Sequence, residues 1–450
     1  MNNNELINEL KEDEKKDFDI LATFLLTQGG SASISAENFA KLLSDKRNKH
    51  SQNQNSYFIS TATAERRLKT FQSKGIIDIK KNGRGRVPSS IILKSYVYKG
   101  PLITGVVPLD CPLYVKRNAD DLCKEALQRG NNSDESLPFI RIKAAKGMGK
   151  SSLMIRLRDF LEKKQKQIIG YVDLGSSVFD ASSFTDLDKI FYTLTEEITQ
   201  AFTNAMPGLN PPPLKNFWKK ERTSSKNCEY YLEELIFKKI KQPKTLFIDG
   251  IDRVLGKNIQ TEFLSVLRTW NETKLKKIVN KAPIVWPSIV IACSTDPYPD
   301  HKLKGSPMQN VGIDVELQEF TRDSILELSK LYGLIWSFDE VDSLMKLIGG
   351  HPTLINRALY KLCKTDMTLA ELEQQSNQVN GPFGDYLLKY LELLQKDEQL
   401  KTCFKTILKG EECNDEFVKF QLEKVGLIRL YHTDIQVSCE LYRRYFQANI

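Results

Sequence analysis

The sequence predicts an α/β core with a parallel β-sheet, flanked on both sides by smaller, mainly helical regions. Between about residues 137 and 315, short apolar runs alternate with longer helical patterns. The apolar runs are Phe139–Ile142, Ile168–Val172, Thr245–Ile248 and Ser288–Cys293. This alternation is typical of parallel strands joined by crossover helices, so we expect helices on both faces of the sheet.

Four regions are expected along the 450 residues, because a single hydrophobic core rarely grows to that size. Residues 1–100 combine three helical patterns with a β-hairpin, the order of a winged helix-turn-helix domain. Residues 101–315 form the α/β core. Residues 316–378 contain only helical patterns and are interpreted as a lid, whereas residues 379–450 combine helices with a short hairpin, as in a second winged-helix module.

The first region has the most regular pattern of elements. Its helical patterns are Phe18–Leu26, Ala36–Leu43 and Thr61–Lys74, and its strand-like runs are residues 76–80 and Ser89–Val97. A basic turn with two glycines, Lys81–Arg86, separates the strands. We expect the third helix to be the recognition helix and the turn to be the wing.

The composition excludes several classes of protein. Hydrophobic residues make up 41% and charged residues 27%, as in soluble globular proteins. The sequence has no apolar stretch of membrane-spanning length and no secretory signal, so a cytoplasmic protein is expected. The eight cysteines are scattered without a C-x-x-C pair, which favours reduced thiols over a zinc cluster or a disulfide framework.

A phosphate-binding loop is predicted between the first apolar run of the core and the helical pattern that follows it. Such loops point backbone N–H groups and a helix N-terminus at phosphates. We expect Lys150 to reach the β- and γ-phosphates of ATP, and the Ser151 hydroxyl to bind Mg²⁺. Ala144 stands where the strict motif has glycine, and a bare Gly-Lys-Ser also occurs by chance at ordinary helix starts. The expected nucleotide contacts here are Ala144, Gly147, Met148, Gly149, Lys150, Ser151 and Ser152.

A carboxylate at the end of another apolar run supports this prediction. Asp249 follows Thr245–Ile248, as a second Mg²⁺ ligand beside Ser151 would. The next residue, Gly250, has no side chain to activate water, so we predict slow or absent hydrolysis. Asp252 is a candidate substitute, and Thr295, at the tip of the run ending at Cys293, is a candidate phosphate sensor or merely a cap.

Separate motifs in a fixed order carry a family resemblance. They are Val107–Arg117, Ala144–Ser151, Asp249–Arg253, Ser294-Thr295, Gly349–Pro352 and Cys439–Phe446. Together they resemble the AAA-like domain proteins common in cyanobacteria. Those proteins are similar to the signal-transduction ATPases with numerous domains (the STAND class) and to the origin-recognition ATPases. The resemblance covers about residues 101–450 and implies a P-loop NTPase core with a helical lid. Members of the family often have a glutamate directly after the strand aspartate, where this chain has Gly250.

The resemblance also implies roles for residues outside the loop. Tyr114 and Arg117 lie in the segment that rests against the adenine in such proteins. His351 and Pro352 resemble the Gly-x-Pro motif of the lid, which contacts the phosphates, and Arg357 on the next helix resembles a sensor arginine. Without the resemblance, His351-Pro352 is equally well an ordinary helix start and Arg357 a solvated residue.

Basic charge is concentrated in the predicted winged helix. Residues 61–100 contain ten Lys or Arg and two Asp or Glu, a net charge of +8 (10 − 2), which equals that of the whole chain. The expected nucleic-acid contacts on the third helix and the hairpin are Arg66, Arg67, Lys69, Lys80, Lys81, Arg84 and Arg86. Duplex DNA is favoured over RNA, because no aromatic platform accompanies the charge.

The sequence therefore predicts an ATP- and DNA-binding switch whose domains rearrange or self-assemble with nucleotide state. Three alternatives remain. The N-terminal domain binds a protein effector in a signalling or conflict system, the protein is an active DNA-remodelling or loading ATPase, or the loop is degenerate and has no nucleotide role.

Overall fold

The structure of the protein is a computed structural model. In it the chain forms two compact units. The residues that it describes are 10–27, 31–50, 59–74, 77–80, 89–93, 98, 100–129, 138–280, 285–294, 308, 311–365, 367–431 and 434–450. The first unit comprises Met1–Val115, Thr321–Met345 and Ile355–Leu372. The second unit comprises Lys116–Phe320, Lys346–Leu354 and Glu373–Ile450. Across these described residues, we find no helix with both the length and the apolar character needed to cross a membrane.

Among its described residues, the N-terminal part of the first unit contains three helices and a three-stranded antiparallel sheet. The helices are Glu12–Thr27, Ala36–His50 and Thr61–Ser73, and the strands are β1 (Ser31–Ile34), β2 (Ile77–Lys80) and β3 (Ser89–Leu93). The strand order is β1-β3-β2. We did not predict β1, because its four residues are too few to show alternation. Phe18 and Phe71 pack edge to face in the core, with ring centroids 5.3 Å apart.

Arg67 lies on the third helix but is buried against carboxylates of the first helix. Its Nε donates to Asp17 Oδ2 at 2.9 Å, and its other nitrogens pair with Glu14 and Asp13. Both Arg67 and Asp17 are shielded from solvent. The guanidinium is thus committed to carboxylates of its own domain, so we do not count Arg67 among the side chains of a nucleic-acid surface.

The α/β core of the second unit is a five-stranded sheet in which every pairing is parallel. The strands are β4 (Phe139–Lys143), β5 (Ile168–Asp173), β6 (Lys244–Asp249), β7 (Ser288–Cys293) and β8 (Ile313–Glu316). Their order is β5-β6-β7-β4-β8. This arrangement confirms the predicted α/β class. We missed β8, because it is a short edge strand with only Val315 buried.

Helices cover both faces of this sheet, since successive strand side chains point to opposite faces. On one face, Ile140 and Ile142 of β4 pack with the helices Asn118–Arg129 and Lys150–Lys164. On the other face, Ile289 and Ile291 of β7 pack with three helices. Those helices are Leu187–Ala205, Ser224–Tyr231 and Gln260–Val279.

The chain after the core is helical until a short hairpin near its end. The helices Arg322–Leu331, Phe338–Ile348, Pro352–Lys364 and Leu369–Gln375 come first. The final module contains the helices Gly384–Lys396, Glu398–Leu408 and Glu416–Val425, the antiparallel strands β9 (Ile428–Tyr431) and β10 (Asp434–Val437), and the helix Glu440–Asn449. Phe446 anchors the last helix by packing edge to face on Phe404, with centroids 5.4 Å apart.

One pair of cysteines departs from the expected reduced thiols. Cys403, on the helix Glu398–Leu408, and Cys413 form a disulfide that closes a short loop. The expectation of reduced thiols is therefore wrong for this pair. The spacing of the two cysteines did not indicate this bond, because the helix and the following turn bring the residues together. The other six cysteines are not in disulfides.

The Arg67 cluster leads to a prediction about stability. We expect Arg67→Ala to destabilise the N-terminal domain by about 3 kcal/mol, because it removes the cation that pairs with the buried carboxylate of Asp17. Thermal unfolding of the full chain, followed by hydrogen exchange in the helix Thr61–Ser73, measures this effect. Arg66→Ala, the neighbouring exposed position, is the matched control and should change stability by less than about 0.5 kcal/mol. Equal effects of the two variants would contradict the assignment.

Candidate nucleotide site

The loop between β4 and the helix Lys150–Lys164 has the backbone shape of a phosphate cradle. Gly147 has φ 83° and Gly149 has φ 94°, a left-handed conformation that favours glycine. Gly149 caps the helix, so the positive end of the helix dipole opens at the loop. Ala144 is buried and does not have a positive φ, which explains why alanine is accepted at the first motif position.

Lys150 points back along its own loop towards the end of β7. Its Nζ donates to the carbonyl oxygens of Ala144 at 2.7 Å and Ala145 at 3.2 Å, and lies 3.4 Å from Ser294 Oγ. Burial lowers the pKa of this ammonium, and the nearby carboxylates of Asp252 and Asp249 oppose that shift. The lysine is thus a partly desolvated cation, and its field is stronger there than in bulk water.

Asp249 ends β6 and is oriented by two donors. Tyr171 of β5 donates its hydroxyl to Oδ2 at 3.0 Å, and the Gly250 N–H donates to Oδ1 at 2.8 Å. Burial, followed by the charge of Asp249, raises the pKa of Tyr171, so its hydroxyl stays protonated. Such donors hold a ligating carboxylate in place.

Mg²⁺ prefers hard oxygen ligands and keeps several of its waters. The half-buried Ser151, at the start of the loop helix, offers a hydroxyl, and Asp249 offers a carboxylate. The chemistry of these two predicted ligands therefore fits magnesium. Among the described residues, no cluster of three or more His, Cys, Asp or Glu is placed to hold a metal unaided. Substrate phosphates and water would have to complete the coordination.

Asp252 lies in the short 3₁₀ turn Ile251–Arg253 and is bound to the end of β7. Its carboxylate accepts hydrogen bonds from both the backbone N–H and the hydroxyl of Ser294, the latter at 2.6 Å. Both carboxylate oxygens are therefore engaged by one residue. The structure thus places Ser294 beside Lys150, whereas Thr295 lies outside the described residues.

Residues 351 and 353 contact the loop from the carbonyl side. His351 Nε2 lies 3.1 Å from the carbonyl oxygen of Lys146, and Thr353 Oγ1 donates to that of Gly147 at 2.8 Å. Burial lowers the pKa of His351 to about 4, so the imidazole is neutral near pH 7. A carbonyl only accepts, so Nε2 carries the proton. Pro352 is buried and begins the helix Pro352–Lys364.

The other residues implied by the resemblance fall into two groups. Arg117 donates to the carbonyl oxygens of Met148 at 2.8 Å and Gln318 at 3.2 Å, so it supports the loop from behind. Ser152 is buried on the loop helix. The half-buried Tyr114 and the buried Arg357 belong to the first unit, and their nucleotide contacts stay predictions.

The C-terminal module reaches the same side of the core. Lys424 Nζ, on the helix Glu416–Val425, donates to the backbone oxygen of Asp252 at 2.6 Å, and burial lowers its pKa. Arg429 of β9 forms an ion pair with Glu319. Glu319 also accepts the backbone N–H of Gly350 at 3.0 Å, next to His351. Side chains of this module thus contact the Asp252 turn and Glu319. Glu319 in turn binds the backbone next to His351, which contacts the loop.

The predicted nucleic-acid contacts are only partly described. Arg66 and Lys69 are exposed on the helix Thr61–Ser73. The backbone of Lys80 lies in β2, but its side chain is outside the described part of the chain, as are Lys81, Arg84 and Arg86. Arg66 and Lys69 are therefore the two predicted contacts whose exposure the structure establishes.

Three residues of the site were not predicted from the sequence. Asp173 ends β5 as Asp249 ends β6, and the two are register partners. The signal that identified Asp249, a carboxylate directly after an apolar run, was present at Asp173 as well. Tyr171 looked like a core residue of its strand. Thr353, beside His351-Pro352, had no signal beyond its place at a helix start.

Gly250 has a conformation that explains why no glutamate stands there. Its φ is 76°, and a Cβ on it would lie 3.0 Å from the Gly175 nitrogen and 3.2 Å from Asp173 Oδ1. A side chain at this position is therefore strained by its backbone and crowded by the loop after β5.

Comparison with known proteins identifies a family and solved structures of similar fold. A family model described as the AAA-like domain matches residues 102–448. The Walker-type ATPase of Pyrococcus abyssi superposes with a TM-score of 0.50 at 12% identity, covering 77% of this chain and 99% of that one. Cdc6p from Pyrobaculum aerophilum superposes with a TM-score of 0.37 at 12% identity, covering 77% of this chain and 97% of that one. DNA-bound Drosophila ORC superposes with a TM-score of 0.38 at 12% identity, covering 77% of this chain and 89% of that one. No curated protein matches the sequence.

The crowding at Gly250 makes a testable prediction. We expect Gly250→Ala to destabilise the second unit by more than the roughly 1–2 kcal/mol that a left-handed backbone alone costs an alanine. Thermal unfolding of the full chain provides the measurement. Gly250→Glu should be destabilised too, and should not hydrolyse ATP faster than the wild type.

The matched control is Gly410→Ala. Gly410 has φ 80°, close to that of Gly250, but a Cβ there would meet nothing within 4 Å. The difference in stability loss between the two alanine variants therefore measures the effect of steric crowding at Gly250. Faster hydrolysis by Gly250→Glu, or equal destabilisation at the two positions, would contradict the interpretation.

Proposed function

The chain belongs to the AAA-like domain family, and from this membership and the geometry of its loop we propose that it binds ATP together with Mg²⁺. The observation that carries the proposal is the loop itself, with left-handed Gly147 and Gly149 and Lys150 at the start of a helix. Lys150 would leave the loop carbonyls to pair with the β- and γ-phosphates. Ser151 and Asp249 would hold Mg²⁺, which neutralises charge on the phosphates when bound.

We expect Lys150→Ala to weaken ATP binding by about 10- to 100-fold, the effect of losing a hydrogen bond from a charged donor. Isothermal titration with ATP and Mg²⁺ measures this. Lys164→Ala, an exposed lysine at the other end of the same helix, is the matched control and should bind like the wild type. Chelation of Mg²⁺ should also weaken ATP binding. Unchanged affinity in Lys150→Ala would identify a degenerate loop.

Hydrolysis is proposed to be slow, so that nucleotide state acts as a switch. Gly250 provides no carboxylate, and Asp252 is occupied by Ser294. Contacts from His351, Thr353 and Lys424 to the loop and to the Asp252 turn are a physical link by which bound nucleotide would bias the C-terminal module. Nucleotide-dependent domain arrangement or self-assembly would follow. Turnover stimulated by DNA and well above about 0.1 s⁻¹ would instead favour a remodelling or loading motor.

The N-terminal domain is proposed to be a winged helix that binds duplex DNA in the cytoplasm. Its order of helices and strands fits that motif, and Arg66 and Lys69 are exposed on the third helix, where a recognition helix would lie. These side chains, with the basic turn, would contact phosphates and give most of the affinity through counterion release. A C-terminal winged helix is proposed likewise from the helices and hairpin at the end of the chain.

We expect an Arg66→Ala/Lys69→Ala double variant to bind duplex DNA more weakly and to show a smaller salt dependence. The slope of log K against log salt should fall by about 0.9 for each phosphate that the variant no longer neutralises. Fluorescence anisotropy of a labelled duplex over a range of salt concentrations gives both quantities.

The matched control is Lys11→Ala/Lys16→Ala, which removes the same charge from exposed positions at the first helix. It should leave the salt slope unchanged. If the wild type does not bind duplex DNA at low salt, the N-terminal domain would be assigned to a protein effector instead.

A further inference from the structure

The space beside Gly250 is occupied by a carboxylate from the neighbouring strand. Asp173 Oδ1 would lie only 3.2 Å from a Cβ on Gly250. The side chain of a glutamate at position 250 would begin at that Cβ, next to the Asp173 carboxylate. The space that a side chain directly after β6 would fill is thus taken by one at the end of β5.

Asp173 is held there by several independent contacts. It is the register partner of Asp249 across the parallel β5–β6 pair, so the backbones are about 4.8 Å apart. Its Oδ1 accepts the Gly175 N–H at 2.7 Å. The Leu174 N–H donates to the backbone oxygen of Asp249 at 3.0 Å, and Arg253 donates to that of Leu174 at 3.2 Å. These bonds tie the loop after β5 to the turn after β6.

Asp173 also differs from Asp252 in what surrounds its carboxylate. Asp252 has both oxygens occupied by Ser294. Asp173 uses Oδ1 for Gly175 and is exposed to solvent. Water therefore has access to the Asp173 carboxylate, which retains acceptor capacity.

We propose that Asp173 orients the water that attacks ATP, in place of the glutamate absent from position 250. The inference rests on the proposed ATP binding. The water oxygen forms a bond to the γ-phosphorus, and the bond from that phosphorus to the β–γ bridging oxygen breaks, with its electron pair leaving on ADP. The products are ADP, phosphate and one proton released to solvent. Asp173 accepts a hydrogen bond from the water and holds it in line, a positioning role of the kind on which phosphoryl transfer mainly depends.

The test compares Asp173→Asn with the wild-type full chain in single-turnover ATP hydrolysis with Mg²⁺. Asparagine keeps an oxygen for the Gly175 N–H, so the turn is preserved, but it lacks the charge. The expected result is a hydrolysis rate lowered by about 100-fold, with ATP affinity within about twofold. Asp173→Glu should recover part of the rate. Asp252→Asn, the same substitution on the neighbouring carboxylate, should lose less activity than Asp173→Asn.

Several outcomes would overturn the assignment. One is wild-type turnover in Asp173→Asn; another is a larger loss in Asp252→Asn. Weakened ATP binding in Asp173→Asn would assign the residue to binding or folding. A wild type that binds ATP without any hydrolysis would reject the role of Asp173 and leave the ATP switch standing. A wild type that does not bind ATP would reject the proposed function itself.

Discussion

The parallel pairing of β7 with both β4 and β6 is the constraint on which the site depends. It places the carboxyl ends of three strands side by side, although residues far apart in sequence supply them. Lys150 after β4, Ser294 after β7 and Asp249 at the end of β6 meet for this reason. The strands are buried on both faces, so their register is set by the core. The positions of the polar residues at this edge therefore follow from the apolar packing of the strands.

Much of this arrangement follows from local patterns in the sequence. Apolar runs identified four strands of the core, and the Gly-Lys-Ser segment identified the loop, because backbone conformation there is dictated by glycine. Contacts between distant segments were not predictable in the same way. Nothing adjacent to Arg67 indicates that three acidic residues of another helix surround it. Likewise, Cys403 and Cys413 become neighbours only through the turn between them.

Residues with a charge raise the same difficulty at the site. Asp252 and Asp173 look alike in sequence, since each is a carboxylate near the end of a strand. Their difference comes from partners: Ser294 satisfies both oxygens of Asp252, whereas Gly175 takes one oxygen of Asp173. Counting ionisable residues near a motif therefore identifies a set of candidates. Hydrogen-bond capacity already in use decides among them.

The hydrogen bond between His351 and the Lys146 carbonyl has a consequence for the N–H group of the same peptide. A trans peptide is planar, and its C=O and N–H point in opposite directions. By holding the Lys146 carbonyl, the imidazole also fixes the direction of the Gly147 N–H, on the far side of the same peptide plane. An anion bound to that N–H and a histidine bound to that carbonyl would polarise one amide from its two ends. By reciprocity, whatever free energy the histidine adds to anion binding, the anion returns to the histidine contact.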